Sequence, residues 1–308
     1  MLKLVILIIY FAVLIGIGLY CRKHATDVNG FVLGGRSVGP WLTAFAYGTS
    51  YFSAVVFVGY AGQFGWKYGI AATWAGIGNA IIGSLLAWVI LGRRTRIMSQ
   101  HLDSATMPQY FGKRFGSNPL KIGASVIIFI FLIPYTASLY NGLSRLFGMA
   151  FNIDYSVCII IMATLTAIYV IAGGYMATAI NDFIQGIIML FGIVAVIAAV
   201  IHSKGGFMSA LQGLANVSDP AVSDTPGIFA SFFGPDPFNL LCVVILTSLG
   251  TWGLPQMVQK FYAIDNEASI QKGTVISTIF ALIVSGGCYF LGGFGRLFLS
   301  LIHISEPT

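Results

Sequence analysis

Eight apolar runs, each long enough to cross a bilayer as a helix, make up almost the whole chain. They lie near 2–21, 41–64, 69–92, 122–150, 155–173, 180–202, 238–263 and 273–298. About 20 apolar residues in helical form span a hydrocarbon core. Inside lipid, only helices and closed barrels satisfy their own backbone, and no run shows the ten-residue alternation of a barrel strand. The runs therefore predict an all-α integral membrane protein whose first partner is the lipid bilayer. The first run is too long for a signal-peptide core and has no small-x-small cleavage site, so it reads as a retained helix. Charged residues are only 8% of the 308, against about 25% in soluble domains. That is too few to coat a water-exposed surface, which excludes a soluble domain, a disordered chain and a nucleic-acid binder.

The net charge of +6 is instead a topology signal. Eleven of the sixteen Lys and Arg residues fall on one side of the predicted spans, from Arg22 and Lys23 through Arg36, the Arg93–Arg96 stretch and Lys113–Lys121 to Lys260 and Lys272. That side is cytoplasmic by the positive-inside rule. The N-terminus is then outside, and so is the long loop 203–237 with Asp219, Asp224 and Asp236. Cys21, Cys158, Cys242 and Cys288 are far apart, form no CxxC pair and read as small packing residues. No HExxH, nucleotide-binding glycine loop or GxSxG is present. The chain therefore reads as no enzyme, and no cofactor is implied.

Two of the runs are poor helices. In the second, Gly48, Thr49, Ser50 and Ser53 sit in mid-span. Glycine tolerates unwinding, hydroxyls re-satisfy freed backbone groups, and unwound carbonyls at the midplane suit a hard cation such as sodium. Close packing of small residues is the other reading of this span. The seventh run repeats the anomaly with Gly250, Gly253 and Pro255. Two interrupted helices about five spans apart are the sequence pointer to an inverted-repeat transporter site. The fourth run carries Pro134, followed by Tyr135, Ser138 and Asn141, which either line a pocket or bond between helices.

Asp182 is the ionised group at the mouth of a run. It follows Gly173-Gly174-Tyr-Met-Ala-Thr-Ala-Ile-Asn181. An intramembrane carboxylate is costly enough to need a function. An N-cap at the start of the sixth helix is the alternative.

Three segments resemble the sodium:solute symporter family. They are Phe31-Val-Leu-Gly-Gly-Arg-Ser-Val-Gly-Pro40, Gly173-Gly-Tyr-Met-Ala-Thr-Ala-Ile-Asn-Asp-Phe-Ile-Gln185, and Gly253-Leu-Pro255 leading into Lys260-Phe261. The resemblance covers 1–298. It implies the leucine-transporter fold with one extra N-terminal helix, a first repeat over about 41–202 and the start of a second over about 238–298, with further helices to follow. It implies sodium on the backbone carbonyls of Thr49 and Phe52, ion-coupling roles for Arg36 and Asp182, and a solute pocket touching Tyr135, Thr247, Thr251 and Pro255. Thr247 and Thr251 stand where proline-transporting members have aromatic residues, and Leu254 replaces a glutamine. These changes speak against proline as the solute.

The function implied is sodium-coupled secondary active symport of a small organic solute across the cytoplasmic membrane, with sodium as coupling ion. Two alternatives share the same spans: a symporter-like sensor domain of a membrane histidine kinase, and an inactive truncated fragment. The last ten residues, LSLIHISEPT over 299–308, read as the translation of a transposase-type sequencing adaptor. The natural chain is then expected to supply 1–298 and to continue beyond.

Overall fold

Helix-compatible apolar runs become helices here, and prolines, glycines and side-chain caps decide where each one starts and stops. The computed structural model describes residues 2–53 and 55–298, so the adaptor-like segment 299–308 lies outside the described residues. In chain order the helices are α1 (Leu2–Cys21), α2 (Val28–Leu33), α3 (Pro40–Tyr51), α4 (Ala61–Tyr68) and α5 (Thr73–Gly78). Wide π-helical turns over Asn79–Leu86 and Trp88–Gly92 run from α5 into α6 (Arg93–His101). There follow α7 (Met107–Phe115), α8 (Asn118–Phe151), α9 (Tyr155–Ser203), α10 (Phe207–Ala215), α11 (Pro237–Leu249), α12 (Pro255–Ala263) and α13 (Glu267–Gly293). Only isolated bridges, and no strands, occur among the described residues.

The boundaries have local causes. Asp27, Thr106, Ser117 and Asp236 cap the starts of α2, α7, α8 and α11 by accepting a backbone N–H. Proline in the first turn of α7, α8, α11 and α12 supplies the preset φ a helix start needs. The cap bonds from Asn239 hold the exposed Asp236 carboxyl below its usual range.

Contacts divide the chain into two units. One gathers 1–51, 86–186 and 252–277; the other gathers 52–85, 187–251 and 278–308. In the first, α12 is almost wholly buried, with Met257, Val258, Phe261 and Tyr262 inside. Tyr47, Trp88 and Phe261 form a mutual ring cluster at centroid distances of 5.1–5.6 Å. In the second, Tyr68, Ala71, Ala72, Ala75, Leu240, Val244 and Tyr289 make the core.

Among the described residues, four helical stretches are long and apolar enough to cross a membrane: Ala61–His101, Asn118–Phe151, Tyr155–Ser203 and Glu267–Leu297. The fifth and sixth runs meet without a loop. Their helices are joined at Gly174, whose φ of 57° and ψ of −149° lie off the helical ladder. A Cβ there would also meet the Phe31 backbone at 2.8 Å, so two constraints select glycine. Helix resumes at once after Gly174, and Asp182 falls two turns inside it. The N-cap alternative for Asp182 is therefore wrong. Of the four cysteines, Cys242 is exposed and the other three are buried.

In the second unit, α4 and α13 touch backbone to backbone. A Cβ on Gly65 would overlap the backbone of Gly292, and a Cβ on Gly292 would overlap that of Ala61. Close approach through small residues is the usual contact of membrane helices. Gly65→Ala is expected to destabilise by about 1–3 kcal/mol through overpacking. A thermal-melting series in detergent checks this, with the open position Gly62→Ala as the near-neutral control.

Candidate functional site

α3 stops at Tyr51, and residues 52–53 are non-helical before π-helical Val55–Tyr60. Ending a helix in mid-run releases the carbonyls of its last turn from the intrahelical ladder. Thr49 lies in that turn and Phe52 follows it, so the break falls on the segment whose backbone oxygens the resemblance assigns to sodium. The Thr49 hydroxyl donates to Phe45 O at 2.9 Å. The second interrupted run breaks the same way: α11 ends at Leu249, 250–253 form turns, Leu254 is extended, and α12 starts at Pro255.

In the first unit, Asp182 pairs with Lys260, Nζ to Oδ2 at 3.6 Å. The lysine side chain is 8% exposed and the aspartate 22%. Lys260 Nζ also lies 5.0 Å from the Tyr175 ring centroid, and the Thr49 side chain reaches the same carboxylate. Thr49, Asp182, Tyr175 and Lys260 thus converge from α3, α9 and α12. Beside them both amide atoms of Asn181 and the Tyr175 hydroxyl are buried with no protein partner. Unsatisfied buried polar atoms next to a carboxylate make a polar spot inside an otherwise apolar unit, where water or a small cation gains most. The positive-inside pattern places Lys260 among the cytoplasmic charges. The structure instead buries it, because nearly every side chain of α12 faces inward.

Arg36 has a left-handed backbone, with φ of 55°. Its guanidinium donates to Ser104 O (2.8 Å), to Ser99 O and Oγ (both 3.3 Å) and to Tyr262 O (3.4 Å). Arg96, read from sequence as an anchor, is 4% exposed and donates to Ile264 O at 2.6 Å and Asp265 O at 2.9 Å. The two arginines therefore hold the carbonyl ends of α6 and α12 together, next to the short parallel pairing of Val38 with Ile264. Arg36 is a carbonyl clamp here, four residues before α3 begins at Pro40.

The remaining pocket candidates are scattered between the units. Thr247 and Thr251 lie in the second unit. Thr247 Oγ1 is 3.0 Å from Asn79 Oδ1, and Thr251 donates to Ser248 O at 3.0 Å. Pro255 opens α12 in the first unit. Tyr135 is half-buried on α8, whose only described buried residue is Ser144. Two residues that sequence reasoning missed are Asn79 and Lys260 as a buried partner. The signal was present: each is a polar group inside an apolar run, where its cost demands a partner.

A multi-pass helical membrane protein with two interrupted helices is a transporter architecture, and comparison with known proteins agrees. The fold matches that of a sodium-coupled sialic acid symporter, solved in its substrate-bound outward-open state. The TM-score is 0.75 at 17% identity, over 96% of this chain and 60% of that one. This is the leucine-transporter-type fold with an extra N-terminal helix, in part. The sodium:solute symporter family model matches residues 31–301, and the chain belongs to that family. Sodium/proline symporters of Staphylococcus aureus strains JH9 and NCTC 8325 are each 30% identical over 97% of this chain and 57% of their own length. The chain thus spans less than two thirds of the length of the relatives it matches.

Proposed function

We propose that the complete protein is a sodium-coupled symporter of a small organic solute in the cytoplasmic membrane, with its N-terminus outside. The observation that carries this is the break in α3 at 52–53 together with the Asp182–Lys260–Thr49 cluster that includes the last turn of α3. The carbonyls of Thr49 and Phe52 supply part of a hard-cation site. Asp182 supplies the negative charge near the ion path, and Lys260 neutralises it when no sodium is near. Arg36 acts on coupling from a distance, by holding the ends of α6 and α12. Thr247, Thr251 and Pro255, on either side of the second break, and Tyr135 of α8 are the residues that the family resemblance assigns to the solute.

The names of the relatives suggest proline or a sialic acid, and the substitutions at Thr247, Thr251 and Leu254 favour a solute other than proline. The energetics suffice. One sodium ion moving down about 150 mV supplies roughly 3.5 kcal/mol, and a tenfold gradient adds about 1.4. The sum of about 5 kcal/mol sustains a solute gradient of roughly several thousandfold.

Ligand-free stability tests the ion site. At a sodium concentration about 100 times its dissociation constant, binding adds about 2.7 kcal/mol to the native state. Sodium is expected to raise the thermal midpoint of the purified full-length protein where equimolar potassium does not. Equal shifts with both ions would contradict the reading.

A further inference from the structure

A buried amide ties the second helix break to its surroundings in the second unit. Gly78 lets the α5 backbone come against α11: a Cβ there would overlap Val244. Gly76 likewise lies against Gly286 of α13, where a Cβ would sit 2.6 Å from the Gly286 Cα. That double approach drives the next residue, Asn79, into the junction of three helices, where it is 1% exposed. Asn79 lies about 9 Å along the helix from Thr73, where α5 begins, within an apolar stretch. It also opens the π-helical turn Asn79–Leu86, and such widened turns concentrate at functional positions.

Its amide is used in both directions. Oδ1 accepts from Ser248 Oγ at 3.1 Å and lies 3.0 Å from Thr247 Oγ1. Nδ2 donates to Ser285 Oγ of α13 at 3.3 Å. Ser248 and Ser285 are both fully buried. The Thr247 proton has a rival acceptor, Val243 O at 2.9 Å; among the described residues no such rival is seen for the Ser248 hydroxyl. Ser248 is in turn held from the other side, because its carbonyl accepts the Thr251 hydroxyl. These bonds grip the last turn of α11 immediately before the chain leaves the helix at Gly250. A helix that ends inside a membrane exposes its final carbonyls, and without a fixed last turn the position of the break would drift along the chain.

The geometry points to Asn79 as the positioning residue that sets where the second helix breaks, and so orients the solute side of the transporter; this rests on reading that break as the solute site. Asn79 acts through Ser248 and Thr251 and need not touch the solute.

Hydrogen–deuterium exchange of the full-length protein in nanodiscs, without sodium or solute, tests the clamp itself. Asn79→Ala is expected to speed exchange of the amides over 248–254 on the order of tenfold, the equivalent of one buried hydrogen bond, with protection of α4 and α13 unchanged. Ser248→Ala, which removes one of the Asn79 bonds, is expected to raise exchange over the same amides by no more than Asn79→Ala does, and the double variant to add nothing to Asn79→Ala. Asn79→Asp should restore protection, because its carboxyl keeps an oxygen facing Ser248 and Thr247 and bonds Ser285 in either protonation state. If Asn79→Ala does not fold, Ser248→Ala carries the same test at a smaller residue. Unchanged exchange over 248–254, additive effects, or failure of the Asp variant to rescue would overturn the assignment. Failure of the solute-site reading would show separately, as solute protection that never reaches 248–254 in the wild-type protein.

Discussion

Asp182→Asn is expected to lower sodium-driven solute accumulation on the order of a hundredfold, the upper end of a coupling free energy of about 3 kcal/mol. The substitution keeps the shape of the side chain and removes its charge. Lys260 then keeps a buried ammonium that has lost its carboxylate partner and still faces the Tyr175 ring. Two effects would follow, and variants separate them. Breaking a largely buried pair from one side costs about 3–5 kcal/mol, whereas removing both partners is often near neutral. Asp182→Asn combined with Lys260→Met is therefore expected to regain stability while remaining uncoupled. Lys260→Met alone leaves the carboxylate in place and should retain sodium-induced stabilisation. If the double variant couples sodium to solute as the wild type does, Asp182 is a structural partner of Lys260 and the ion role assigned to it is wrong.

Asp219→Asn is expected to cost about 3–5 kcal/mol of stability, visible as a large fall in the thermal midpoint. Asp219 accepts from Arg296 Nη1 at 2.9 Å, and the two side chains are 6% and 1% exposed. The guanidinium is held between two rings, 4.2 Å from the Trp66 centroid and 3.9 Å from that of Phe229, while its Nε donates to Trp66 O at 2.6 Å. Arg296 Nη2 is buried without a protein partner, so the site has little reserve to compensate a lost acceptor. The pair fastens the loop after α10 to the end of α13 and to α4. Arg296→Met with Asp219→Ala is expected to recover most of the loss, since the uncompensated charge is then gone. Equal losses in the single and double variants would show that ring packing, and not charge pairing, holds the loop.

The helices were legible because lipid leaves so few alternatives. Apolar length alone marks a span, and Gly48, Gly250 and Pro255 mark where spans fail. The second break falls where Gly250 and Pro255 stand, whereas the first comes at 52–53, four residues after Gly48, which stays helical within α3. What stayed illegible is three-dimensional partnership. Lys260 and Arg96 look in one dimension like topology anchors, and each proves to be a buried group with named partners. A basic residue at the edge of an apolar run has the same sequence signature whether it points to headgroups or folds back onto a carbonyl. Arg36 shows the same limit: its motif was recognised, but its four carbonyl and hydroxyl acceptors lie 63 to 226 residues away. Gly174 lies between the fifth and sixth apolar runs, and only its backbone conformation shows that the two helices join there without a loop.

The most direct measurement of the central claim is solute uptake by the full-length protein, expressed from its complete gene and reconstituted in proteoliposomes. Labelled proline, N-acetylneuraminic acid and a panel of small amino acids, carboxylates, vitamins and sugars would be offered under an inward sodium gradient, and again under an equal potassium gradient. The account predicts that one solute class accumulates above its external concentration with sodium only, and that this accumulation disappears in Asp182→Asn. Uptake that merely equilibrates, or that proceeds as well with potassium, would contradict sodium-coupled symport.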